Sequence, residues 1–242
     1  MGEKTEEKVE MRKEQKEKKK MKLGPKICII ILIILAILLI DLIRKFTIIR
    51  EIDEQYAKDR VNQNHYYKVM NIDGTEEEIY VYNNIRILKN MSYSENGKEI
   101  RQIYIDDDKK EQWIIVDTPA DKIAVKTDYQ DIGITGANNG GLPGKENIWA
   151  ELMCASISNI VSTKWNGQDC YLITFEDEYQ IWVSKEDNRI IGSRNGTFTD
   201  NEGNEIDRIS NFFYNYGELT GKDVEFPDLT DYTVKDNKGN LQ

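Results

Sequence analysis

Asn147-Ile-Trp-Ala-Glu-Leu-Met-Cys-Ala-Ser-Ile-Ser-Asn-Ile-Val-Ser162 places apolar residues at three- and four-residue intervals, the repeat of one helix face. Trp149, Leu152, Met153, Ile157, Ile160 and Val161 fall on one stripe, while Glu151, Ser158 and Asn159 lie elsewhere. The spacing predicts a helix over 147–162. Before it, Asp131 to Lys145 holds five Gly and one Pro and reads as loop.

On both sides of this helix the period changes to two. Upstream, short apolar or aromatic runs stand at Tyr66–Ile72, Glu78–Tyr82, Ile85–Tyr93, Glu99–Ile105, Gln112–Val116 and Lys122–Thr127. Turn residues separate them at Asp73-Gly74, Asn83-Asn84, Asn96-Gly97 and Asp106-Asp107-Asp108. Downstream the runs are Cys170–Phe175, Tyr179–Ser184, Arg189–Thr199 and Glu205–Tyr216, with turns at Asn166-Gly167, Asp187-Asn188 and Glu202-Gly203. A last segment, Asp223–Leu229, holds Phe226-Pro227 and suits an edge position, because proline cannot donate to a ladder. Closely spaced strands joined by tight turns make an antiparallel meander. The helix stripe needs an apolar surface, and the sheet supplies one. The expected fold is therefore α+β, mainly antiparallel β: a strongly curved half-barrel sheet wrapped around the helix from Asn147, preceded by one transmembrane helix.

That preceding helix is read from Ile27 to Ile40, which has no charge, with Leu42, Ile43 and Phe46 extending the apolar character past Asp41. Running to Phe46 gives the roughly 20 residues a bilayer core requires. No Ala-x-Ala-like cleavage site follows, and Cys28 stands at the start of the apolar run, where it cannot be a lipobox cysteine. Lys16, Lys18, Lys19, Lys20, Lys22 and Lys26 precede the helix and are expected to hold the N-terminus in the cytoplasm. The expected organisation is a basic cytoplasmic tail over 1–26, an anchor over 27–46, an extracytoplasmic domain over 47–232 and a C-terminal tail over 233–242. Residues 44–64 read as a helical continuation or stalk, with Ile48, Ile49, Ile52 and Tyr56 at helical spacing. Residues 1–26 carry ten Lys/Arg against six Glu, whereas residues 44–242 carry 23 Lys/Arg against 36 Asp/Glu, a net of −13. A domain that acidic repels phosphate backbones, so nucleic acid is not the expected partner.

The stretch Cys170-Tyr-Leu-Ile-Thr-Phe-Glu-Asp-Glu-Tyr-Gln-Ile-Trp-Val-Ser-Lys-Glu-Asp-Asn-Arg-Ile-Ile191, with the later Phe226-Pro227-Asp228-Leu229, resembles the LolA/RseB-type lipoprotein-carrier family. In that family an Ile-Trp-Val strand feeds a hairpin and a near-terminal Phe-Pro closes the domain. The resemblance would cover about residues 50–232 and implies a concave apolar surface able to hold an acyl chain, a lipid or a peptide. The carriers are soluble whereas this chain is tethered, and none of their lipoprotein-binding residues has a matching position here.

Individual residues add constraints. Cys154 and Cys170 are the two cysteines after the anchor. They read either as a disulfide closing 16 residues, contributing ~3 kcal/mol in the entropic model, or as two buried thiols. Gly140-Gly-Leu-Pro-Gly-Lys-Glu146 fails as a phosphate loop, because Asn139 stands where the first Gly belongs and Glu146 where Ser or Thr belongs. Asp200, Glu202 and Asp207 lack the register of a calcium loop. His65 has no nucleophile elbow to serve, and 36 acids guarantee chance carboxylate pairs. No metal, cofactor or catalytic residue is expected. The residues expected around a ligand groove are Trp149, Leu152, Met153 and Ile157 on the helix, faced by Tyr171 and Trp182. The chain accordingly reads as a non-enzymatic, membrane-tethered module holding a lipid, lipoprotein or peptide. The rival is a regulatory or structural interaction ectodomain with a self-filled core, docking another envelope protein.

Overall fold

A computed structural model describes residues 3–241 apart from 96, 131–141, 143–146, 176–178, 200–202 and 239, with side chains described from Lys26 onward. The glycine-rich connector read at 131–145 lies outside the described residues save for Leu142, as do Glu202 of one expected turn and Asn96 of another. The chain forms two units, Met1–Thr47 and Ile48–Gln242.

The first unit is helical, being most of α1 (Glu3–Arg60). Its apolar run has a mean hydropathy of 3.1 over an eighteen-residue window and none of that window is buried. It is one helix long and apolar enough to cross a membrane or to act as a signal anchor.

The second unit is built on one sheet of twelve strands. In chain order these are β1 (Asn64–Asn71), β2 (Glu76–Tyr82), β3 (Ile85–Ser94), β4 (Gly97–Asp106), β5 (Glu111–Asp117), β6 (Lys122–Thr127), β7 (Asn159–Trp165), β8 (Gln168–Thr174), β9 (Gln180–Ser184), β10 (Ile190–Thr199), β11 (Glu205–Tyr216) and β12 (Thr233–Lys235). A short helix, α2 (Ile148–Ile157), stands between β6 and β7. The spatial order is β12-β6-β5-β4-β3-β2-β1-β11-β10-β9-β8-β7, so the sheet is open with β12 and β7 at its edges. Two meanders, β1–β6 and β7–β11, are joined where β1 lies antiparallel to β11, with Tyr67 opposite Tyr214 and Val69 opposite Phe212. The turn residues foreseen from the sequence do take the left-handed backbone that tight hairpins require: Asn83 has φ 52°, Asn166 φ 49° and Asn188 φ 57°.

Alternation gives the sheet two covered faces. One carries Tyr80, Ile87, Tyr104 and Trp113, and is capped by Val224 and by Phe226, whose ring meets Tyr104 and Trp113 edge-on at 4.9 and 5.3 Å. The Phe226-Pro227 segment is thus a lid on the sheet and not the edge strand expected there. The edge is taken by β12, which pairs parallel to β6 from within the segment expected to be a tail.

The opposite face carries His65, Tyr67, Ile79, Val81, Phe212 and Tyr214. The last turns of α1 lie over it. Arg189 donates to both carboxylate oxygens of Asp59 at 2.8 Å, and its guanidinium sits 4.0 Å from the Tyr216 ring centroid and 5.9 Å from that of Tyr214. The Asn62 carbonyl accepts from Nδ1 of buried His65 at 2.8 Å. Ile48, Ile49 and Ile52, expected on a stalk, are 5%, 0% and 1% exposed, each worth roughly 2 kcal/mol of apolar burial.

Candidate functional site

α2 is shorter than its apolar pattern foretells. It opens on Asn147, whose side-chain oxygen accepts from the Ala150 backbone N–H at 3.1 Å, and closes at Ser158, which is extended at φ −84° and ψ 151°. Beyond Ser158 the chain enters β7, so Ile160 and Val161 belong to a strand and not to the helical stripe. β-branched residues fit a pleated, half-buried surface, and the β7–β8 ladder from Asn159–Thr174 to Trp165–Gln168 claims them.

The helix is also turned the other way from the expectation. Glu151, Cys154 and Ala155 are its buried residues, and Ser158 extends the same i, i+3, i+4, i+7 row. Trp149 and Met153 are 73% and 67% exposed, with Ile148 and Ile157 about half exposed. The row of small residues faces inward, while the bulky row stays outside. Greasy length alone did not decide the orientation.

Beneath α2 the inward row meets Asp53 of α1. Asp53 is fully buried and neither carboxylate oxygen has a hydrogen-bond partner; Glu151 is 2% exposed and its Oε1 has none; the Ser158 hydroxyl, 3% exposed, has none. Burial and the neighbouring Glu151 carboxylate push the Asp53 carboxyl up to about 7. The Cys154 thiol, also facing this spot, is pushed up to about 11 by burial and then by Asp53. Two neighbouring buried acids on two helices, with no cation beside them among the described residues, are an arrangement no local motif in the sequence announces. Their separation of nearly one hundred residues, among 36 acids, hides them.

The six residues expected around a groove do not share one surface. Trp149, Met153 and Ile157 point outward on α2 and Leu152 is half-buried. Tyr171 stands opposite Val183 and Leu172 opposite Trp182 in the β8–β9 ladder, which puts Tyr171 and Trp182 on opposite faces of the sheet. Tyr171 is half-buried with the Lys185 ammonium 4.8 Å over its ring. Trp182 is 8% exposed and stacks on Trp165 at 3.9 Å; a Cβ at Gly192 would come within 2.8 Å of the Trp165 indole, so the stack is closed by bare backbone. None of the six lines any of four cavities among the described residues, of which the largest, near 470 Å³, is walled by polar groups such as Asn71, Asp73 and Arg208 together with Ile72, Phe198 and Ile209.

Of the two readings of the cysteines, the structure has the buried thiols. Cys154 and Cys170 are free thiols. Cys154 faces Asp53 from α2, whereas Cys170 sits in β8 opposite Thr163 and Ser184, on the strand face that also carries Trp182. Among the described residues, no group of three or more His, Cys, Asp or Glu side chains is placed to hold a metal ion. Compared with known proteins, the chain matches no protein-family model and no curated protein.

Proposed function

We propose that this chain is a membrane-tethered interaction protein whose acidic domain lies outside the cell, its N-terminus inside, and docks an envelope protein through the outer face of α2. The lysines before the apolar helix support the orientation. The observation that carries the docking reading is the exposure of Ile148, Trp149, Met153 and Ile157 together on one ten-residue helix, continued by Val161 at 43% on the neighbouring edge strand. Exposed apolar residues scattered singly need no explanation, but a contiguous set containing Trp and Met is the composition of an interface centre. The net charge of −13 over residues 44–242 favours a partner whose apolar patch is rimmed by Lys or Arg. Ile48, Ile49 and Ile52 fill the opposite side of the domain from within, which supports a self-filled core over an open ligand groove.

A second reading keeps some support. The single open antiparallel sheet is compatible with the carrier-like fold, in which a lipid or peptide would be held. One experiment separates the two. A photo-crosslinking amino acid is placed at position 149 of the full chain in living cells, with position 98 on an exposed hairpin as control. The docking reading expects a discrete protein adduct from 149 that is absent from 98. Adducts to phospholipid alone, or none at all, overturn it.

A further inference from the structure

α2 is a helix with two incompatible sides. Outside it offers large apolar side chains; inside it rests on a carboxylate that faces another carboxylate. The other buried acids of this domain are held by cations or donors. Asp59 has Arg189, and Asp106 accepts from the backbone of Asp108 and Lys109 and from the Lys109 ammonium. Among the described residues Asp53 and Glu151 have no such support. Arg50, three residues before Asp53, is turned toward solvent with Glu54 at 3.5 Å, and Arg189 is occupied by Asp59 and Asp187. From α2 the titratable group that acts on Asp53 is Glu151, and Asp53 in turn acts on the Cys154 thiol.

Asp53, buried without a hydrogen-bond donor and with the Glu151 carboxylate as its neighbour, holds its proton more tightly than a carboxyl in water. The rest of the buried row is small: Cys154, Ala155 and Ser158. We infer that the contact between the last turns of α1 and the inner face of α2 is a proton-operated latch: with a proton on the buried, donor-less Asp53 carboxyl α2 stays seated and presents its stripe, and with that proton gone α2 lifts away. What the latch controls rests on the docking reading above; the latch itself does not.

Rising pH opens the latch. An acid that binds its proton more tightly in the closed form loses closed-state stability as pH climbs toward its closed-state value. The midpoint near 7 for Asp53 places the response around neutrality. Below it the opening equilibrium grows by up to about tenfold per pH unit for one proton, and above it the growth levels off.

Cys154 reports the event, because it is buried on the inner face of α2, and Cys170 is the control, because it is buried in the sheet. The full chain in nanodiscs is labelled with a small maleimide between pH 6 and 8.5, and the rate at each cysteine is read by peptide mass spectrometry. Both thiols must ionise to react, so the ratio of the Cys154 rate to the Cys170 rate cancels that common pH dependence. The latch expects this ratio to climb about tenfold in the wild type, to climb less in Glu151→Gln, where burial alone still acts on Asp53, and to stay flat in Asp53→Asn. Unchanged Cys170 labelling certifies that each variant is folded. A flat wild-type ratio, or the same climb in Asp53→Asn, overturns the latch. A climbing ratio alongside a position 149 that captures no protein removes the docking reading alone, and a flat ratio alongside a discrete adduct removes the latch alone.

Discussion

Asp53 and Asp59 lie six residues apart on α1, are both nearly inaccessible, and live under opposite rules. Asp59 accepts two hydrogen bonds from one guanidinium, itself laid over the Tyr214 and Tyr216 rings. Among the described residues Asp53 meets Glu151 and no cation. The difference teaches that burial of a carboxylate says little until its partner is known. A fork-paired acid fastens the helix to the sheet, whereas an acid facing another acid makes the attachment depend on a proton.

Removing the cation from the paired site is the hardest test of that contrast. Arg189→Ala leaves Asp59 buried without its partner and strips the cover from two tyrosine rings, so it should cost about 3–5 kcal/mol in denaturant unfolding of the full chain. A loss below about 1 kcal/mol would make Asp59 no anchor. Ile49→Ala asks whether the end of α1 is core or stalk. At 0% exposure it should cost about 3 kcal/mol, against almost nothing for a stalk residue.

The unpaired site predicts the reverse sign. The folded-state value of Asp53, about 7, stands above its ordinary 3.8. Its contribution is complete below the ordinary carboxylate range, fades as pH rises from about 4 to about 7, and is gone above. Asp53→Asn removes the acid and should raise the melting temperature at pH 8 by about 3 °C while changing it little at pH 5. A destabilised variant at pH 8 would mean that Asp53 has a cationic partner after all. Trp149→Ala on the exposed face should shift stability by less than about 0.5 kcal/mol, yet abolish the protein adduct captured from a crosslinker at position 153. Smallest of all, reducing agent should leave the melting curve unmoved, because Cys154 and Cys170 are unbridged.

The strand pattern was legible because each hairpin carries its own instruction. Lys122–Thr127 and Glu205–Tyr216 run between the residues the alternation picked, and Asn83, Asn166 and Asn188 turn where Asn does so most easily. Local chemistry was insufficient at 147–162. Two rows of residues there satisfy helical spacing, one bulky and one small, and periodicity cannot rank them when the neighbour is not yet known. The same ambiguity hid β7, whose Ile160 and Val161 serve a helix or a strand equally well in a short window.

From its residues alone, the chain fixes an apolar helix after a lysine-rich tail, an acidic domain, and two antiparallel meanders, since charge, hydropathy and turn chemistry act over a few residues. Only the tertiary structure decided that the end of α1 fills the core, that α2 shows its large side chains to solvent, and that Asp53 meets Glu151. Those outcomes depend on which surfaces approach closely enough to exclude water, and that closeness joins positions nearly one hundred residues apart which no short-range signal links.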